Sequence, residues 1–377
     1  MVKVLYFIDR LLHGGIQTFV LENIKHMDLT KVHIDFLLLD DGKEYELENV
    51  FKEMGCSIYK LKNIWINNPI SYISYIKALN TFFSNHNDYD VVHLHSSSKN
   101  FFVLLFAKKY GIHTRIAHSH NIGFQTKSKI QIIIGNLFKM PLIYYATDYF
   151  ACSKLAGEWL FNKKICDNNL VVVKNAINIE KFCYDKNKDV YLRKRLGLTN
   201  KFVIGHVGRF TNQKNHSFLI DIFYEILKIN PNSTLLLIGT GELENIIKEK
   251  VNNLGITDNV IFLGYKQNVS DYLQVMDAFV FPSNYEGLGL VLIEAQASGL
   301  ACYTSKDVVP IEAKVSSLLK FISLQSPPCV WAKEICTYNP LSRCSPKDEI
   351  LNLGYDINQT ANFLQNFYLK RCKEKKL

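Results

Sequence analysis

Short apolar runs alternate along this chain with longer segments whose apolar residues recur at helical spacing. Val2–Ile8 and His33–Leu39 are runs of the first kind, and Thr18–Met27 between them is a segment of the second. Continuous apolar runs predict strands buried on both faces, and the periodic segments predict helices lying over them. The alternation continues with helix Ser71–Asn85, strand Val91–His95, helix Phe101–Tyr110 and strand Thr114–Ala117. A long helical stretch, Lys129–Tyr145, leads to strand Tyr149–Cys152, helix Lys154–Phe161 and strand Leu170–Val173. A second cycle opens at Phe202–Val207 and runs through helix Phe218–Ile229 and strands Thr234–Ile238 and Val260–Phe262. Helix Val269–Met276 and strand Ala278–Phe281 close it. Asp185–Gly197 is charged without a strand pattern, which predicts the linker and the entry to the second domain near 176–200. From Val315 the pattern weakens, until Ile357, Thr360, Ala361, Leu364, Phe367 and Tyr368 mark one face of a final helix, Asp356–Leu369.

Strands alternating with helices predict parallel sheets covered by helices, hence an α/β fold. Each half opens with an apolar strand, a glycine-containing turn and an amphipathic helix, so the expectation is two Rossmann-like domains facing an interdomain cleft. The expected domains are 1–175, 176–355 and a C-terminal helix with basic tail, 356–377. A length of 377 residues suits two cores, and 48% hydrophobic with 21% charged residues excludes a disordered chain. Nine cysteines without C-x-x-C spacing predict reduced thiols of a cytosolic protein. The N-terminus enters a strand at once, which argues against a signal peptide, and no apolar run approaches the ~18 residues of a membrane span.

A formal charge of +9 predicts an anionic partner: a nucleotide diphosphate, a polyprenyl phosphate or an acidic leaflet. Lys and Arg are spread along the chain, which disfavours nucleic acid; only Lys370–Lys376 is dense, and a solvated terminus explains it. In Gln125–Tyr145, Lys127, Lys129 and Lys139 flank many apolar residues. Core packing and a membrane-surface helix account for that segment equally.

The chemistry concentrates in Tyr285-Glu286-Gly287-Leu288-Gly289-Leu290-Val291-Leu292-Ile293-Glu294. Two glutamates in apolar surroundings, with no Lys or Arg beside them in sequence, call for a ligand that donates hydrogen bonds, as sugar hydroxyls do. Gly287 and Gly289 precede an apolar helix whose N-terminus would seat a phosphate. The combination points to a nucleotide-sugar. Arg209 and Lys214 in the turn after Val207 can converge on one diphosphate. Gly14-Gly15 lets backbone approach a phosphate after the first strand, but it is not the dinucleotide fingerprint G-x-G-x-x-G. His118 and His120, two apart on an extended segment, face one side and fit hydrogen bonding to donor sugar or phosphate. A metal lacks a third or fourth ligand there. His93 and His95 read as wall residues. Asp88-Tyr89-Asp90 imitates a metal-binding D-x-D but precedes a strand at its amino end, so no metal is expected.

Glu286-x7-Glu294 together with Gly208-Arg209, Lys214 and Gly14-Gly15 resembles the retaining glycosyltransferases of family 4 over nearly the whole chain. His118-Ser119-His120-Asn121, Ile204–Arg209, Glu294–Gly299 and Val330-Trp331-Ala332 are most similar to its EpsF-like exopolysaccharide and capsular branch. The resemblance implies a GT-B fold whose C-terminal helix crosses back to the first domain. It also implies transfer of a hexosyl unit from a nucleotide-diphosphate sugar, a UDP-sugar being expected, to a lipid-linked polysaccharide intermediate. By the same resemblance, Arg209 and Lys214 neutralise the leaving diphosphate with the N–H groups of Gly287, Leu288, Gly289 and Leu290. Glu294 holds the ribose, Glu286 the donor sugar, Tyr265 and Lys266 the base, and Gly15 the diphosphate, while His120 or His118 contacts the donor sugar. No metal and no cofactor beyond the donor are implied, and the expected location is cytoplasmic, with peripheral contact to the anionic inner face of the membrane. The stretch Val309–Lys320 departs from the glycine-rich pattern of the family at large. Two other classes compete. A sugar-nucleotide epimerase needs further acid/base carboxylates, and an inactive GT-B scaffold would not need Arg209, Lys214, Glu286 and Glu294.

Overall fold

The computed structural model describes residues 1–12, 14–61, 69–124, 128–337 and 343–374; Lys127, Lys375 and Lys376 lie outside them. The chain forms two compact units, Met1–Ala176 with Ile357–Leu377, and Ile177–Asp356.

The first unit is built on seven strands: β1 (Val2–Ile8), β2 (Val32–Leu39), β3 (Ile58–Leu61), β4 (Val91–Leu94), β5 (Thr114–Ser119), β6 (Asp148–Ala151) and β7 (Leu170–Val172). Their order is β3-β2-β1-β4-β5-β6-β7, and every pairing is parallel. On one face Val4, Tyr6, Ile34 and Phe36 pack with Phe19 and Val20, and with Ala361, Leu364 and Tyr368 of the helix Ile357–Glu374. On the other, Leu5, Phe7, Leu37 and Val92 pack with Leu79, Phe83 and Leu104. Burial on both faces is why these strands read as continuous apolar runs. The last helix is also tied down by charge, Arg371 Nε lying 3.1 Å from Asp148 Oδ1.

The second unit holds β8 (Phe202–Val207), β9 (Ser233–Ile238), β10 (Val260–Phe262), β11 (Ala278–Phe281), β12 (Ala301–Ser305) and β13 (Leu319–Ile322) in the parallel order β10-β9-β8-β11-β12-β13. In both sheets the order reverses beside the first strand, between β1 and β4 and between β8 and β11. Loops leaving two such strands diverge and open a crevice at the carboxyl ends.

Two expectations need correction. Asp185–Gly197, read without an element of its own at the entry to the second domain, holds the helix Lys186–Leu196 of the second unit. Its sequence lacks an apolar stripe, but Asp185 accepts the amides of Asn187 and Lys188, and Gly197 at φ 68° ends it. The stretch Lys129–Tyr145 is two helices, Lys129–Leu137 and Lys139–Tyr145. Pro141 has no N–H to offer the Leu137 carbonyl, so one continuous helix would lose that bond. Asp88-Tyr89-Asp90 staples the amino ends of β1 and β4: Asp88 pairs with the Lys3 ammonium, and Asp90 accepts the Lys3 N–H at 3.1 Å.

Candidate active site

In the second unit β8 ends in the turn Gly208-Arg209-Phe210, which rests on Gly239-Thr240-Gly241. The Gly208 N–H donates to Ile238 (2.9 Å), the Phe210 N–H to Thr240 (3.0 Å) and the Leu243 N–H to Phe210 (3.0 Å). A β-carbon on Gly239 would stand 2.1 Å from the Gly208 oxygen, and one on Gly241 2.5 Å from the Phe210 oxygen. Only glycines let the two turns approach. Arg209 projects from this ledge exposed, with no ion-pair partner among the described residues.

Five residues on, Lys214 places Nζ 2.5 Å from Glu286 Oε1 and 4.5 Å from the centre of the Phe281 ring. Glu286 is only 9% exposed. The sequence left this carboxylate without a cation, and the fold supplies one from 72 residues away, because β8 and β11 are neighbours. The two loops are sewn together. The Asn284 N–H donates to the Gln213 carbonyl (2.8 Å), Asn284 Nδ2 to the Asn212 carbonyl (2.7 Å), and Gln213 Nε2 to the Tyr285 carbonyl (3.1 Å). Sequence reasoning missed Gln213 and Asn284; their only cue was adjacency to residues already singled out.

After Glu286 the amides of Gly287, Leu288 and Gly289 find no backbone acceptor among the described residues. Gly289, at φ 74°, caps the helix Leu290–Ala297, so free N–H donors and the positive end of a helix share one loop with the Lys214–Glu286 pair. Glu294 lies one turn into that helix, half-buried. Gln296, buried beside it, donates to Leu292 (2.9 Å) and Ala313 (2.8 Å) and accepts the amides of Val315 and Ser316 (3.1 Å each). The Glu286 N–H reaches the Val308 carbonyl at 3.3 Å. The segment that departs from the family pattern, Val309–Lys320, thus braces the helix, and Val308 just before it braces the loop. Tyr265 is 59% exposed after β10, and Lys266 lines a groove of about 290 Å³ with Arg195 and Asp271.

In the first unit Gly15 opens the helix Gly15–Lys25, and a β-carbon there would meet nothing within 4 Å. Facing the same reversal, β4 and β5 end in four packed imidazoles. His93 stacks on His95 and His118 on His120, each at 4.0 Å between ring centres. His93 Nε2 lies 3.1 Å from His118 Nδ1, and His95 Nδ1 lies 2.9 Å from His120 Nε2. Burial drives all four below the ordinary imidazole range, His120 to about 3. They are therefore neutral near pH 7.

Proton counting then links the tautomers. Tyr6 and Tyr368 share a hydrogen bond of 2.8 Å, and Tyr368 reaches His93 Nδ1 at 2.7 Å. Tyr6 is buried, and Tyr368 is the one partner its hydroxyl has among the described residues. Run in either direction, the chain leaves one buried donor over, the Tyr6 O–H or the N–H at His118 Nε2; with Tyr6 donating to Tyr368 the spare donor falls on His118. Tyr368 then donates to His93 Nδ1, so His93 carries its proton on Nε2 and donates to His118 Nδ1. His118 is left with the proton on Nε2, a buried atom without a partner. In that state His118 carries a spare N–H donor, closed off from solvent.

His93, His95 and His118 also offer nitrogens within 4.8 Å of one another. The fold therefore provides the third ligand that the sequence lacked, and it does so by pairing β4 with β5. None of the four rings bonds a carboxylate among the described residues, so the charge of a dication would stand uncompensated.

Comparison with known proteins agrees with this geometry. Residues 13–181 match the model of Glycosyltransferase Family 4, and residues 189–315 that of Glycosyl transferases group 1. The chain is 30% identical to a Bacillus subtilis (strain 168) protein named as glycosyltransferase EpsF, over 97% of this chain and 96% of that one. It is 29% identical, over 58% of each chain, to an Escherichia coli UDP-Gal:alpha-D-GlcNAc-diphosphoundecaprenol alpha-1,3-galactosyltransferase. The crystal structure of Anabaena HepE in complex with UDP and glucose superimposes with a TM-score of 0.69 at 17% identity, covering 100% of this chain and 98% of that one. Two parallel α/β units, a glycine-built turn at the reversal beside β8 and a full-length relative lead to one assignment: the chain belongs to the family 4 glycosyltransferases, of GT-B fold and on their EpsF-like branch.

Proposed function

We propose that the protein is a retaining hexosyltransferase that moves a hexosyl unit from a UDP-sugar to a lipid-linked intermediate of a surface polysaccharide. The observation that carries this reading is the Lys214–Glu286 pair beside free amides and a helix N-terminus. Breaking the bond between the anomeric carbon and the diphosphate builds charge on the departing phosphate. Arg209, Lys214 and the amides from Gly287 to Leu290 meet that charge without reorganising. The departing phosphate takes the acceptor hydroxyl's proton as the new glycosidic bond forms on the same face. Glu286 accepts hydrogen bonds from the donor sugar and Glu294 from the ribose, with Tyr265 and Lys266 at the base. In the first unit Gly15 passes close to the diphosphate, and His118 or His120 contacts the sugar.

Lys214 and Arg209 supply fixed cations where a divalent ion would otherwise serve, so transfer proceeds in chelator and without a cofactor. The diphosphoundecaprenol acceptor of the Escherichia coli relative and the UDP bound by HepE support the lipid-linked acceptor and the uridine base. Such an acceptor puts the work on the cytoplasmic face of a membrane, with the protein bound peripherally. Titration calorimetry in EDTA tests the reading: UDP binds, and Lys214→Ala weakens it at least about tenfold, the loss of one charge-assisted contact. Absence of nucleotide binding, with or without Mg²⁺, overturns it.

A further inference from the structure

The helices Lys129–Leu137 and Lys139–Tyr145 turn their apolar side chains outward. Ile130 is 71% exposed, Ile133 60%, Leu137 66%, Met140 67% and Tyr144 70%. Ile130, Ile133, Ile134 and Leu137 recur at i, i+3, i+4 and i+7, the stripe by which a helix ordinarily enters a core. Here the first of the two helices buries Gly135 alone. Core packing and a membrane surface fitted the sequence equally, and the fold leaves the stripe outside the core. Single exposed apolar residues are ordinary, but a run along two successive helices marks a contact surface.

Charge selects the occupant. No Asp or Glu occurs from Ser128 to Thr147. Lys129 is exposed at the head of the first helix, and Lys108 holds Nζ 4.6 Å from the centre of the Tyr144 ring. Lys139 is folded back onto the Trp159 carbonyl and takes no part. An anionic leaflet matches each feature: the stripe enters the acyl boundary, tyrosine sits at headgroup depth, and the ammonium groups meet lipid phosphates.

We propose that this face docks the protein on an anionic phospholipid leaflet, with Ile130, Ile133, Leu137 and Met140 immersed. The first helix follows β5 in the chain, the strand that carries His118 at its carboxyl end. That helix leaves the carboxyl end of the sheet, where the histidine array lies, and the second returns toward the amino end, the Tyr145 carbonyl accepting Arg115 Nε at 2.7 Å. That the leaflet also carries the sugar acceptor rests on the proposed function; docking itself rests on the surface alone.

Sedimentation of the full chain with phosphatidylglycerol–phosphatidylcholine vesicles tests the proposal. Binding is expected to anionic vesicles, to weaken with salt, and to fall at least about tenfold in Ile133→Glu/Leu137→Glu. Lys129→Gln should weaken it by about fivefold, one cation at the surface. UDP affinity of each variant by calorimetry should equal that of the parent, so a failed nucleotide site and a failed docking face read out separately. Absence of vesicle binding at low salt overturns the proposal, and so does equal binding to pure phosphatidylcholine. A self-association abolished by Ile133→Glu/Leu137→Glu overturns it in favour of a second copy.

Discussion

Tyr368 holds its phenol between Tyr6 and His93, so removing one oxygen interrupts the chain that links the proton on His118 to the phenols. Tyr368→Phe leaves His93 Nδ1 without its donor and the Tyr6 hydroxyl without its acceptor, at a cost of about 1–3 kcal/mol in stability. More informative is the tautomer. In the parent, with Tyr6 donating to Tyr368, imidazole ¹⁵N spectra should show His118 protonated at Nε2 alone, and Tyr368→Phe should give a mixture. Tyr6→Phe, which removes only the terminal donor, frees Tyr368 to reverse its own bond and should shift the population less. A single unchanged tautomer in Tyr368→Phe would refute the assignment. The histidine pairs were legible because residues two apart on an extended segment face one way. Tyr368 was not: its contact with His93 spans 275 residues, and its helical pattern marked it only as core.

Gly239 carries the element-scale argument, since the turn after β8 is held in place by the turn after β9. Its φ of 138° already excludes an ordinary side chain, and the β-carbon would strike the Gly208 oxygen at 2.1 Å. Gly239→Ala should push the Gly208–Phe210 turn, and Arg209 with it, off the ledge. Thermal unfolding should register a loss of about 1–3 kcal/mol, as overpacking does, with UDP affinity weakened more than about tenfold. Gly255→Ala is the control: its φ of 67° is also left-handed, but its β-carbon would meet nothing within 4 Å. Equal nucleotide affinity in both variants would show that the ledge does not position the site. Ten of the thirteen described strands were legible because burial on two faces writes itself as unbroken apolar runs; Ile58–Leu61, Ala301–Ser305 and Leu319–Ile322, short and interrupted by polar residues, were not. The helix Lys186–Leu196 was not, since it buries no residue and its signal lay in its caps. The Lys214–Glu286 pair was half legible: each residue stood out in its own loop, but strand order, which pattern does not reveal, joins them.

At the scale of the molecule, both units bury neutral imidazoles. Beside the four in the first unit, His206 donates its Nδ1–H to the Val280 carbonyl at 2.8 Å, and His216 stacks on Phe210 at 4.0 Å. Burial depresses both, His216 to about 4. In each case the folded value lies below the unfolded one of about 6.5. The unfolded chain therefore binds more protons between those limits. Stability is fully present above pH ~6.5 and is lost as the pH falls toward 4, by about 1.4 kcal/mol per pH unit for each histidine within its window. The two units need not unfold together, so a single midpoint would blur the effect. Proton uptake can be read directly by scanning calorimetry at pH 5.5 in two buffers of different ionisation enthalpy. With six such histidines the expected uptake on complete unfolding is at least about four protons. An uptake below one would mean that the imidazoles are already charged in the folded state. That outcome would also remove the neutrality on which the proton count at His118 rests.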